Sequence, residues 1–71
     1  MANTDHVYKT IEITGSSGSS IEDAIQNAVK RTGESVHNLR WFEVAGIRGH
    51  LENGEIDHYQ VTLKIGFTVD V

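Results

Sequence analysis

The chain has 71 residues, 38% of them apolar, with no Cys and no Pro, and six Lys and Arg against ten Asp and Glu leave a net charge of −4. That length fits one domain, and a domain this small buries only about 60% of the surface its unfolded chain exposes. Without Cys there are no disulfides or thiolate metal sites, no apolar run approaches the ~20 residues of a membrane span, and the acidic balance argues against a duplex nucleic-acid binder.

Self-association is the remaining route to stability for so thin a core. No His pair shows helical HxxxH spacing, so no metal site is expected. The start, Met1 to Asp5, is polar and has no basic-then-apolar signal peptide, so a cytoplasmic location is expected.

Residues 6–14 alternate: Val7, Ile11 and Ile13 share one face, and Tyr8, Thr10 and Glu12 the other. This period predicts a strand. The run GSSGSS over 15–20 reads as a connecting loop. It lacks the Lys and Thr that would follow in a phosphate-cradling P-loop. Ser19 and Glu22 have capping-box spacing. Ile21, Ala24, Ile25, Ala28 and Val29 then form one apolar stripe, predicting an amphipathic helix over 20–34. Glu22 and Asp23 near its start and Lys30 and Arg31 near its end suit the helix dipole, and Gly33 is a plausible stop.

From Arg40 onward, two long strands over 40–52 and 55–69 flank Asn53-Gly54, the leading sequence for a two-residue type I′ hairpin turn. Counting outward, His50 faces Asp57, Arg48 faces Tyr59, Ile47 faces Gln60, Glu43 faces Lys64 and Trp41 faces Gly66. The row Tyr59, Val61, Leu63, Ile65, Phe67, Val69, with Arg48, Gly46, Val44 and Phe42 opposite, should cover the helix. The other face carries Trp41, Glu43, Ala45, Ile47 and Leu51 beside Gln60, Thr62 and Lys64. With Ile56, that is too apolar for a solvated sheet face and marks a partner or ligand surface. The helix returns the chain, so the third strand, with the most continuous apolar row, belongs in the centre. The expected architecture is α+β, a β-α-β-β chain with antiparallel order 1-3-2 and one helix on one face.

Two residues on the outer face carry recognition chemistry. Trp41, the only Trp, can stack on a flat ligand or pack in an interface. Gln60 offers an amide donor and acceptor together, a match for a pyrimidine-like edge. Six residues, roughly 20 Å along a strand, separate them, so one small molecule can meet both only if they come from different subunits. The pair of His50 and Asp57 is expected to be a surface contact of little consequence. No Ser-His-Asp set or carboxylate dyad can be argued, so no enzyme is expected.

The run WFEVAGIRGHLENGEIDHYQVTLKIGF, with the upstream YKTIEITGSS and SIEDAIQNAV, closely resembles the dodecins from about Val7 to Phe67. The resemblance implies a flavin-binding protein that assembles as a hollow homododecamer. It would hold FMN, riboflavin or FAD in stacked pairs between Trp side chains of symmetry-related subunits, for storage, buffering and photoprotection. The family's stacking Trp matches Trp41, its flavin-edge glutamine matches Gln60, and the bacterial members' Arg for phosphate-bearing ligands such as FMN or coenzyme A matches Arg48. Strict alternation puts Arg48 on the core face, so this role requires a bulge, for which Gly46 or Gly49 is suited. The resemblance departs at Thr68, where many bacterial members carry a basic residue. The alternative is a non-flavin oligomeric module in which Trp41 is only interface packing.

Overall fold

A computed structural model describes residues 5–69. The elements are β1 (Tyr8–Ser17), α1 (Ile21–Gly33), β2 (Leu39–Glu52) and β3 (Glu55–Thr68). They form a three-stranded antiparallel sheet of order β1-β3-β2, with α1 packed on β1 and β3. Among the described residues no helix is long and apolar enough to cross a membrane.

β1 runs on through Gly15, Ser16 and Ser17, which composition alone assigns to a loop. These residues pair with Val61, Gln60 and Tyr59 of the central strand. Gly15 is required there by the helix: a Cβ would overlap the Ala24 carbonyl and lie 2.7 Å from the Ala28 Cβ. Tertiary pairing overrides a weak β propensity at this point. The N-cap of α1 is Ser20, one residue later than the expected Ser19. Its hydroxyl accepts from the Asp23 N–H at 3.0 Å, satisfying one orphan donor of the first turn. Asp23 does not reach back to the cap; its carboxylate accepts from the Ser17 hydroxyl at 2.7 Å.

The core is small. Ala24, Ala28, Val61, Leu63 and Ile65 are buried, with Ile11, Ile13, Ile25, Val29 and Leu39 packed around them. Ile21, expected in the helix stripe, is exposed, while Thr32 continues the buried row one turn beyond Ala28. Gly33 closes the helix without a left-handed turn, since Glu34 remains right-handed at φ −71° and ψ −25°. The left-handed residue is Asn38 (φ 65°), just before β2.

At the hairpin tip Asn53 (φ 54°) and Gly54 (φ 77°) both have the positive φ of a type I′ turn. Glu52 pairs with Glu55 and Leu51 with Ile56. The ladder then departs from the expected register. Asp57 is an extra residue in β3, so His50 faces His58, Arg48 faces Gln60 and Ile47 faces Val61. Ala45 is an extra residue in β2 and cancels the shift, so Glu43 faces Lys64 and Trp41 faces Gly66, as counted. The expected pairs His50–Asp57, Arg48–Tyr59 and Ile47–Gln60 are therefore corrected.

The bulge at Ala45 also corrects the faces, because one inserted residue turns everything beyond it to the other side. Ile47 shares the side of Val61, and Leu51 with Ile56 follows it. The expected apolar patch around Trp41 is absent. Apart from Trp41 and Tyr8, the uncovered apolar groups of the sheet lie on the helix side, where α1 leaves β2 and the hairpin end of β3 bare: Phe42 is 50% exposed, Ile47 55%, Ile56 58% and Leu51 63%. The hairpin also projects, giving extents of 57 × 20 × 16 Å and a radius of gyration of 14.7 Å. A compact chain of this length has about 11 Å.

Candidate functional site

The outer sheet face, opposite α1, brings together the side chains singled out by their chemistry. Trp41 lies across Gly66: a Cβ at Gly66 would overlap the indole at Cε2 and Cζ2 and come within 2.8 Å of Cδ2. One ring face is thus laid on bare backbone. Tyr8 meets the indole edge-on, with ring centroids 6.1 Å apart and planes at 62°. The side chain remains 40% exposed, so its other face is open. A rigid aromatic plane with one face seated and the other free is a stacking platform for a flat ligand. Its cross-strand surroundings are otherwise polar, with Glu43 and Lys64 paired next along the ladder and Thr10 opposite Gly66 in β1.

Farther along the same face Arg48 stands directly opposite Gln60. The bulge at Ala45, immediately before Gly46, is what brings Arg48 onto this face. Gln60 is half-buried, and its amide nitrogen lies 3.2 Å from His58 Nε2. His58 Nδ1 lies 2.7 Å from the Asp57 carboxylate. The His50 ring stacks on His58 with centroids 5.0 Å apart and planes at 17°, and its Nε2 meets Glu52 at 3.3 Å. Charged and amide groups therefore gather at the hairpin end of the sheet, and the aromatic platform at the other.

Arg48 and Gln60 meet within one chain, but Trp41 does not meet them. Trp41 pairs with Gly66, six positions from Gln60 along β3, or roughly 20 Å at 3.3–3.4 Å per residue. Sequence reasoning paired Trp41 with Gly66 but missed the seat this gives the ring, and it missed Tyr8 and the Asp57–His58 contact. A glycine opposite the only Trp, inside a strand whose other positions all carry side chains, was a usable signal for that seat. Nothing in the sequence marks Asp57 as the bulged residue. Thr68, beside Tyr8 in the ladder, is buried. Among the described residues no three His, Asp or Glu side chains gather in a metal-holding group.

A family model described as Dodecin matches residues 7–70. The chain belongs to the dodecin family. It is 41% identical over 64 residues to the Thermus thermophilus dodecin, covering 90% of this chain and 93% of that one. The solved dodecin of Streptomyces davaonensis superimposes with a TM-score of 0.90 at 43% identity, covering 96% of this chain and all of the other. The dodecin of Streptomyces coelicolor gives the same TM-score at 38% identity, covering 97% of this chain and 99% of the other. These dodecins share the β-α-β-β architecture, so the strand order and the long projecting hairpin are those of the fold family.

Proposed function

We propose that this dodecin binds flavin between the subunits of a homododecamer, holding riboflavin, FMN or FAD in stacked pairs for storage and photoprotection, without turnover. The observation that carries the proposal is the seat of Trp41 on Gly66, with its outer ring face open. The separation of that indole from the apolar groups supports the same reading. Phe42, Ile47, Leu51 and Ile56 lie on the helix side, so contacts between subunits are supplied there, and Trp41 is not needed to supply them. An aromatic plane left among polar groups is better suited to a ligand than to interface packing alone.

Each side chain has a role in this reading. Trp41 stacks on the isoalloxazine plane. Gln60 hydrogen-bonds the pyrimidine edge of a flavin stacked on another subunit's indole. Arg48 faces the phosphate of FMN or of coenzyme A. Bound flavin absorbs blue light and would otherwise react from its excited state. The electron-rich indole against it offers a rapid route of quenching. The extended protomer and thin core favour the assembly, since a second copy can cover the bare side of β2.

Gel filtration with added FMN, recording mass and visible absorbance together, tests this directly. A yellow peak at the mass of a dodecamer of 7.9 kDa chains supports it, and a colourless monomer refutes both ligand and assembly. Trp41→Ala should weaken flavin binding by about 1–3 kcal/mol, taking aromatic–base stacking as the analogue. Unaltered affinity and quenching in that variant would remove Trp41 from the site.

A further inference from the structure

The Asp57–His58–Gln60 chain has a polarity that follows from donor and acceptor rules. The Asp57 carboxylate only accepts, so His58 Nδ1, 2.7 Å away, carries a proton and donates to it. In a neutral ring Nε2 is then the acceptor. The Gln60 amide nitrogen, 3.2 Å from it, donates to it. One Gln60 N–H is consumed, and the amide presents its carbonyl oxygen and its second N–H. That pair matches a ring N–H flanked by carbonyls, the imide edge of an isoalloxazine. The β-bulge is what makes the chain possible. Consecutive residues in a regular strand point to opposite faces, and Asp57, as the extra residue of the bulge, is re-aimed beside its own neighbour's ring.

We infer that His58, held by Asp57, is a positioning residue that fixes the amide orientation of Gln60, and that protonation of His58 reverses it. In the imidazolium both nitrogens donate. The Gln60 carbonyl must then turn inward to accept from Nε2–H, and the amide presents two N–H donors. The imide N–H of the ligand loses its acceptor and faces like polarity. The inference rests on the flavin reading of Gln60. The titratable and charged groups around His58 are Asp57 on its own strand and, from β2, His50 stacked on it, Glu52 at His50, and Arg48 opposite Gln60. From β1 the opposing residues are the uncharged Ser16 and Ser17, and α1 packs on the other face of the sheet.

Riboflavin is the suitable probe, because it lacks the phosphate whose own titration overlaps that of histidine. Its affinity is measured by fluorescence quenching at about pH 7.5 and about pH 5.5. The assembled protein is expected to bind about tenfold more weakly at the lower pH, the cost of one mispaired hydrogen bond at ~1.4 kcal/mol per tenfold. His58→Gln, which keeps an acceptor but does not titrate, is expected to bind equally at both. His50→Gln is expected to keep the parent's pH dependence. A His58→Gln variant that loses affinity as the parent does overturns the inference, as does a parent indifferent to pH. A second measurement does not involve ligand. The long-range proton–nitrogen NMR spectrum of the flavin-free protein at the higher pH should show His58 protonated at Nδ1 and accepting at Nε2. The opposite tautomer overturns the inference. The expected tautomer with no riboflavin quenching at either pH refutes the flavin reading instead, and leaves the donor and acceptor roles of His58 standing.

Discussion

The substitution Gly66→Ala adds one methyl group directly beneath the indole of Trp41. The added Cβ would sit inside van der Waals contact of three ring atoms, the third at 2.8 Å, so the ring cannot keep its seat. Forcing both groups into the site would cost about 1–3 kcal/mol as overpacking. The indole is 40% exposed and can escape by rotating outward, so little of that cost should appear as lost stability. It should appear in ligand binding, because the rotated ring no longer offers its flat face. The expected loss of riboflavin affinity is about 1–3 kcal/mol, or roughly 5- to 150-fold, the same range as removal of the ring. Fluorescence quenching gives the affinity, and circular dichroism with thermal melting confirms the fold. The double variant Trp41→Ala/Gly66→Ala should bind no worse than Trp41→Ala alone, since neighbouring groups acting through one interaction are not additive. Riboflavin binding within about twofold of the parent by Gly66→Ala, or a double variant showing the sum of both losses, would refute the platform.

Three further outcomes are expected. Gly15→Ala should lower stability by about 1–3 kcal/mol, because its Cβ meets the Ala24 carbonyl, backbone that can give way only if α1 lifts from the sheet; an unchanged urea midpoint would show that the helix has slack. Ile47→Asp places a charge on the bare side of β2 and should convert the assembly to smaller species in light scattering, whereas retention of the parent mass would remove that side from the subunit contacts. Arg48→Ala should weaken FMN binding by roughly 10- to 150-fold, a charge-assisted hydrogen bond being worth ~1.5–3 kcal/mol, and riboflavin binding much less; equal losses for both ligands would deny Arg48 a phosphate role.

Local chemistry made much of the fold legible. Asn53-Gly54 is a turn because both residues tolerate positive φ, and both have it. The apolar stripe of the helix and the continuous apolar row of β3 implied the sheet order and the buried set of Ala24, Ala28, Val61, Leu63 and Ile65. The pairing of Trp41 with Gly66 also follows from counting, because two bulges on opposite strands cancel before that point. Between the bulges, counting fails. Ile47 there, and Leu51 beyond in the counted register, read as neighbours of Trp41 and in fact lie on the other side. The Gly15–Ser17 run was illegible for a different reason: small residues signal a loop unless a helix must approach closely, and that approach is not a local property.

What the sequence by itself determined is the set of elements, their order, the hairpin turn, and the residue types able to stack, hydrogen-bond and carry charge. The family was legible there too, in the runs around Trp41 and Gln60. Only the tertiary structure decided which side of the sheet Arg48, Ile47 and Asp57 occupy. The physical reason is that strand alternation has a period of two and no tolerance for an inserted residue. Whether a residue is inserted depends on cross-strand partners and on what each face must cover, and Gly46 and Gly49 were locally equal candidates. The bulge in fact made Ala45 the extra residue, with Gly46 next to it. It placed Arg48 opposite Gln60 and left the apolar side chains of β2 on the side where a second copy can cover them.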